Sequence, residues 1–302
     1  MKRTKHDDVN GWLIVDKPQG MGSTDVVNVT RRLFNANKNG HAGTLDPFAT
    51  GVLPIAFGEA TKLIPFVTDG IKEYEFVLQF GTATNTDDCE GEVISESDKI
   101  PTKDDILAVL PQFTGTITQI PPAYSAIKIN GERAYKLARQ GETVNIPPRQ
   151  VTIYELELKE QISSVLFKFR VLCSKGTYVR TLGKDIALKL NTVGHLQALR
   201  RTKCGIFSLS DTILLENIKN MVYTGNRQEF LLPIETSLRD IAVIAVSEKD
   251  AVKLKQGQRI SPKPYLAEVS AGSLCAALYL GCLTALVRVD EDKISPIRVF
   301  NL

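Results

Sequence analysis

Two alternating stretches constrain this 302-residue chain most tightly. Residues 73–80, EYEFVLQF, put Tyr74, Phe76, Leu78 and Phe80 on one face. Glu73, Glu75 and Gln79 share the other, with Val77 among them. Residues 165–173 repeat the pattern, with Phe167, Phe169, Val171 and Cys173 opposite Lys168 and Arg170. Neighbouring side chains of a strand point to opposite faces, so this period of two requires strands with one face buried and one wet. Helical spacing appears elsewhere. Leu182, Ile186 and Leu190 recur every four residues, and Val26, Val29, Leu33 and Phe34 follow a cap at Ser23, Thr24 or Asp25. Thr102 caps a further short helix to residue 110, with Asp104 and Asp105 in its first turn and Pro111 at its end.

The bulk numbers exclude several classes. The length suffices for a sizeable core and two domains. A net charge of +3 does not announce nucleic acid, so any such claim must rest on local charge. The amino-terminal segment is polar and lacks the apolar core of a signal peptide. Residues 274–287 form the longest nearly uncharged apolar run, but they fall short of the roughly 20 residues of a membrane span and contain Gly281 and Thr284. A buried pair of strands in a soluble protein is expected there. Five cysteines (Cys89, Cys173, Cys204, Cys275, Cys282) form no CxxC pair, and three histidines (His6, His41, His195) form no spaced ligand set. Reduced thiols, a cytoplasmic location and no metal are expected. Asp87, Asp88 and Glu90 are expected as solvent-facing turn formers in residues 81–91, not as metal ligands. No Walker loop or GxGxxG occurs, so no nucleotide cofactor is expected.

One loop carries the strongest signal for chemistry. Residues 40–54 read GHAGTLDPFATGVLP, with Asp46 between Gly43-Thr44 and Pro47. Gly43 and Gly51 allow close backbone approach. Asp followed by Pro is also a helix cap with Pro at the first helical position, so a structural and a chemical role both stand for Asp46 at this point. A second signal is basic. Lys128, Arg133, Lys136 and Arg139 face the single Glu132, a local charge of +3 interleaved with Tyr124 and Tyr135. Basic and aromatic side chains together suit an arm that grips phosphates and stacks on bases, while a helix over 131–140 with a solvated basic face is the plainer alternative. Arg200, Arg201 and Lys203 look like a routine surface run.

Residues 40–54 resemble, nearly residue for residue, the catalytic motif of the TruB family of tRNA pseudouridine synthases. The resemblance makes Asp46 the catalytic residue. It continues in DKPxGxxS over residues 16–23, in Lys72-Glu73-Tyr74, in KGTYVR over residues 175–180 and in Leu199. It implies that Tyr74 stacks on the target base, that Arg180 pairs with Asp46 with Tyr178 alongside, and that Leu199 closes the pocket to water. Two readings stand for each of two further residues: Lys17 is a solvated turn lysine or meets a phosphate, and His41 is a loop histidine without a role or touches nucleotides near the flipped base. Residues 119–142 resemble the RNA-gripping insertion of bacterial-type members, which assigns backbone contacts to Lys128, Arg133, Lys136 and Arg139. The chain's end, with Pro296, Arg298, Val299 and Phe300, resembles a PUA domain.

The expectation is therefore an α+β catalytic domain, residues 1–240, on a mixed, largely antiparallel sheet flanked by helices, with an insertion over about 119–150. A small all-β, PUA-like barrel over residues 241–302 completes it. The implied reaction converts uridine 55 in the T-loop of tRNA to pseudouridine by base flipping, glycosidic cleavage, rotation and C5–C1′ bonding. It needs no cofactor. The partner is the tRNA T-arm, with no guide RNA, no membrane and a monomeric enzyme. A tRNA-binding protein without chemistry would keep the basic arm but have no need of Asp46 and Arg180 together. A hydrolase would need a second carboxylate as general acid, and the sequence offers no convincing partner.

Overall fold

The structure is a computed structural model. It describes residues 6–302 apart from 126, 130, 141–144, 223–226 and 266–268, and apart from the side chains of 128, 135, 139, 221 and 222.

From its amino end the chain forms β1 (Gly11–Lys17), α1 (Ser23–Leu33), β2 (Asn39–His41), β3 (Thr50–Phe57), α2 (Ile64–Asp69) and β4 (Lys72–Phe80). A side hairpin, β5 (Thr82–Thr84) and β6 (Val93–Glu96), leads to α3 (Lys103–Val109) and β7 (Gly115–Gln119). The insertion holds a short hairpin, β8 (Lys128–Ile129) and β9 (Glu132–Arg133), and α4 (Ala134–Arg139). Then come β10 (Arg149–Gln161), β11 (Leu166–Cys173), α5 (Val179–Lys189), β12 (Gly194–Cys204), β13 (Phe207–Ser208), β14 (Ile213–Leu214) and α6 (Leu215–Val222). The last unit comprises β15 (Ala242–Ala245), α7 (Glu248–Lys255), β16 (Leu274–Tyr279), β17 (Cys282–Val289) and β18 (Ile294–Val299).

The large sheet runs β14-β1-β3-β12-β4-β11-β10-β7. The β14–β1 and β3–β12 pairs are parallel, and the other pairs along this path are antiparallel. The fold is thus α+β on a mixed, largely antiparallel sheet, as expected. Burial explains why its strands read differently in sequence. In β4 and β11 one face meets the core, while the other carries cross-strand ion pairs such as Lys168–Glu75 at 2.8 Å. In β1 both faces are covered. Leu13 and Val15 join the core with Val26 of α1, while Trp12 and Ile14 pack with Ala276, Leu286 and Phe300 of the last unit. A strand buried on both sides reads as a continuous apolar run.

Several local readings shift. The N-cap of α1 is Gly22, whose N–H donates to the Asp25 carboxylate at 3.1 Å; Val26, Val29, Leu33 and Phe34 pack on the core as expected, and Ser23 and Thr30 are buried with them. Helix α3 forms where expected, with the Thr102 hydroxyl accepting from the Asp105 N–H. The pattern over 131–140 is a helix only from Ala134, because Gly131 takes a φ of +93° in the β8–β9 turn. The final sheet, β15-β16-β17-β18, carries one helix that a strands-only reading leaves out. Ser247 caps α7, and Ala251 and Leu254, three apart, bury one face of it.

Candidate active site

The 40–54 loop links β2 to β3, and no helix follows Asp46; the chain turns once, with Ala49 N–H donating to Asp46 C=O at 3.1 Å, and enters β3. The capping role for Asp46 is thereby removed. Six successive carbonyls of the loop each accept a hydrogen bond. Ala42 accepts from the Cys204 thiol, and Gly43 and Thr44 accept from the Arg201 guanidinium at 2.9 and 3.4 Å. Leu45 accepts from the Ser23 hydroxyl at 2.9 Å, Asp46 from Ala49, and Pro47 from the Gly20 N–H and the Lys17 ammonium. Pinning a loop at every residue fixes its one carboxylate before a substrate arrives, the condition for electrostatic preorganisation.

Arg180 holds that carboxylate from the other side. Helix α5 begins at Val179, so the sharp turn at Gly176 delivers Arg180 on the first helical turn. Its side chain is 3% exposed, and NH2 lies 3.0 Å from Asp46 Oδ2. NH1 lies 3.3 Å from Asp88 Oδ2, and the carbonyls of Thr86 and Tyr124 accept from NH1 and NH2 at 2.9 and 2.8 Å. One buried cation therefore bridges two carboxylates. Asp88, 4% exposed, also accepts from the Thr86 hydroxyl and the Glu90 N–H, while Asp87 pairs with Lys184 at 2.8 Å. Asp87 and Asp88 are packed against α5, not solvent-facing as expected, because a guanidinium and an ammonium on that helix compensate them; Glu90 is exposed, as expected. Asp46 keeps 35% of its side chain exposed. Burial of the loop pushes its carboxyl above the usual range; the Arg180 ion pair opposes that rise and the Asp88 carboxylate adds to it.

A 250 Å³ cavity opens beside Asp46 and is lined by Tyr74, Tyr178, Arg180 and Leu199 among others. It brings together five of the residues singled out from sequence. Tyr74 lies opposite Arg201 in the β4–β12 register, which turns both side chains to the same buried face. Burial pushes the Tyr74 phenol up to about 12, so it is neutral at pH 7. The Tyr178 backbone is clamped by the buried Gln119 amide, which donates to its C=O at 3.2 Å and accepts from its N–H at 3.0 Å. The Arg149 guanidinium lies 4.6 Å from the Tyr178 ring centre and donates to Gly176 C=O. On the other side of Asp46 lies a 910 Å³ cleft lined by His41, Tyr124 and Arg133. Burial and Arg201 push His41 below its ordinary value, so it faces this cleft neutral.

Lys17 is not a surface cation. It is 0% exposed and donates to the carbonyls of Pro18, Met21 and Pro47 at 2.9, 2.6 and 3.1 Å, which makes it a staple beneath the Asp46 loop. Its position at the inner end of β1 leaves no path to a phosphate in this conformation. Lys136 is exposed on α4, and the side chains of Lys128 and Arg139 lie outside the described residues. Sequence reasoning missed Arg201, 1% exposed at the centre of the site's scaffold. A signal was present: Leu199 and Arg201 are two apart on one strand and so share a face. Asp88 and Gln119 left no such trace. Among the described residues no group of three or more His, Cys, Asp or Glu is placed to hold a metal, and no helix is long and apolar enough to cross a membrane.

The likenesses agree with this geometry. Residues 31–179 match the TruB family pseudouridylate synthase (N terminal domain), and residues 180–239 match the tRNA pseudouridylate synthase B C-terminal domain. The tRNA pseudouridine synthase B of Bradyrhizobium diazoefficiens is 48% identical over 99% of this chain and 88% of its own length. That of Caulobacter vibrioides is 45% identical over 100% of this chain and 99% of its own. Among solved structures, an H/ACA RNP bound to a substrate RNA containing 2′-deoxyuridine has a similar fold, with a TM-score of 0.73 at 22% identity, covering 97% of this chain and 85% of that one. A Cbf5-Nop10-Gar1 complex gives 0.72 at 22% identity, covering 99% and 91%. An Asp held by a buried Arg beside a small aromatic-lined cavity, in a chain matched along its length by such relatives, has one reading: the chain belongs to the TruB family of pseudouridine synthases, isomerases that act on RNA.

Proposed function

We propose that this protein converts uridine 55 in the T-loop of tRNA to pseudouridine without a guide RNA. The observation that carries the reading is the Asp46–Arg180 pair at the mouth of a cavity sized for one flat ring. The target nucleotide leaves the T-loop stack, because its reacting atoms are inaccessible there, and its base enters the cavity. Asp46 acts at the ribose, as nucleophile at C1′ or as base at C2′. Either route needs the carboxylate ionised against the cost of burial, which is what Arg180 supplies. The C1′–N1 bond breaks and the uracil turns beside Tyr74. C5 then bonds to C1′, the C5 hydrogen leaves as a proton, and N1 takes one up. Leu199 and the buried scaffold keep water from the broken bond.

The homologues' name, tRNA pseudouridine synthase B, supports tRNA as substrate, and so does the basic arm over 119–150. Arg133 lines the 910 Å³ cleft, and Lys136 is solvent-exposed, both suited to phosphates of a folded arm. We assign residues 1–240 to catalysis and 241–302 to a PUA-like RNA-binding unit that adds affinity. The test is to map modified positions in a tRNA transcript incubated with the purified protein alone. Pseudouridine at position 55 is expected; modification elsewhere, or dependence on an added RNA, refutes the assignment.

A further inference from the structure

Among the described residues four buried side-chain atoms lack a hydrogen-bond partner, His41 Nδ1, Ser125 Oγ, Arg149 Nε and Arg180 Nε, and Ser125 supplies the one hydroxyl of the four. Ser125 is 4% exposed, and among the described residues its hydroxyl has no hydrogen-bond partner. It lines both the 250 Å³ cavity and the 910 Å³ cleft, as do Thr44, Leu45, Asp46 and Arg180. Its place is fixed: the preceding residue's carbonyl, Tyr124 C=O, accepts from the same Arg180 NH2 that pairs with Asp46. Buried hydroxyls in folded proteins are nearly always paired, and an unpaired one at a cavity wall marks a place for a ligand's polar atom.

Several other polar groups of the cavity are committed, and the Nε atoms of Arg149 and Arg180, also buried without a partner, can only donate. Arg201 and Lys72 donate to backbone carbonyls, the Ser174 hydroxyl accepts from Thr152 N–H at 2.9 Å, and the Thr177 hydroxyl donates to Ser174 C=O at 3.0 Å. We propose that Ser125 is a substrate-contacting residue whose hydroxyl pairs with the O2/N3–H/O4 edge of the extruded uracil; this rests on the uridine-isomerisation reading. Turning uracil over about its N3–C6 line brings C5 to the place N1 vacates. That motion exchanges O2 with O4 and leaves N3–H where it was. A hydroxyl that both donates and accepts, and that rotates freely, meets an equivalent edge before and after the turn. A fixed donor such as a guanidinium has no acceptor to offer N3–H. The hydroxyl therefore holds the detached ring without opposing its rotation.

The test is Ser125→Ala in the full chain, read by three measurements beside wild type. Removing an unpartnered buried hydroxyl leaves the free protein's melting temperature unchanged or raised, while loss of one neutral hydrogen bond lowers the single-turnover release of C5 tritium about tenfold. The Kd for tRNA stays within about twofold. An unchanged rate overturns the proposal. A lowered melting temperature overturns it too, since the hydroxyl then has a partner in the free protein. A loss confined to Kd places the hydroxyl on ribose or phosphate and overturns the base assignment. Absence of tritium release by wild type is a separate result, and it refutes the isomerase reading itself.

Discussion

Asp88→Asn perturbs the ion chain at the point farthest from the substrate. The Asp88 Oδ1 accepts from the Thr86 hydroxyl at 2.6 Å and the Glu90 N–H at 3.1 Å, so the asparagine keeps its oxygen there. Its NH2 then faces the Arg180 guanidinium, donor against donor. Unit charges 3.3 Å apart attract by about 5 kcal/mol at an effective dielectric of about 20. Breaking a buried pair costs about 3–5 kcal/mol, but Arg180 keeps Asp46 and two backbone carbonyls, which places the expected loss at about 2–3 kcal/mol. That corresponds to a fall of about 3–5 °C in melting temperature. The pH profile gives the sharper sign. The Asp88 carboxylate raises Asp46, so removing its charge moves the acid limb of the single-turnover rate to lower pH. Arg180→Gln removes the opposing influence and moves the limb to higher pH. Tritium release from C5-labelled tRNA across pH 4–8 reads both variants. A limb that rises in Asp88→Asn, or a melting temperature that does not change, refutes the argument.

Two further outcomes follow from the scaffold. Gly51 has a φ of +102°, and a Cβ there would stand 2.2 Å from the Arg201 carbonyl oxygen, so Gly51→Ala is expected to cost about 4 kcal/mol or more and to be seen as loss of soluble, cooperatively melting protein. Gly20→Ala, at φ +81° with nothing within 4 Å, carries strain alone and should cost about 1 kcal/mol; equal losses at the two sites would refute the close-contact reading. Burial pushes Lys17 down to about 8 from 10.5, so above pH 8 the folded chain releases this proton before the unfolded chain does, and stability rises between about pH 8 and 10. Urea unfolding at the two ends of that window should show the gain in wild type and its loss in Lys17→Met; the same slope in both would contradict the buried-amine account.

The sequence was most legible where a period meets a one-sided core. The alternation in β4 and β11, the Leu182–Ile186–Leu190 face of α5 and the Thr102 cap all appear where residue spacing puts them, because each depends on neighbours along the chain. The buried charges were not legible. Lys17 ends an apolar strand and resembles a solvated turn residue until the 40–54 loop folds over it and presents Pro47 C=O. Arg201 follows another arginine, yet the strand sends one outward to Asp16 and the other inward to three carbonyls. Asp88 resembles a turn former until α5 sets a guanidinium against it. In each case the compensating partner lies far away in sequence, and a long-range carbonyl or counter-ion leaves no local pattern. The Asp46–Arg180 pairing was foreseen from family resemblance, not from spacing, since 134 residues separate the two.

The most direct test of the central claim is C5 tritium release from labelled tRNA by wild type and by Asp46→Asn, with tRNA binding measured for both. Asparagine keeps the size of the side chain and removes the charge that Arg180 holds. The account predicts release by wild type and none above background in Asp46→Asn, with tRNA still bound and the variant folded and melting cooperatively. Release persisting in a well-folded Asp46→Asn would show that the carboxylate does not perform the chemistry, and the assignment of the site would fall with it.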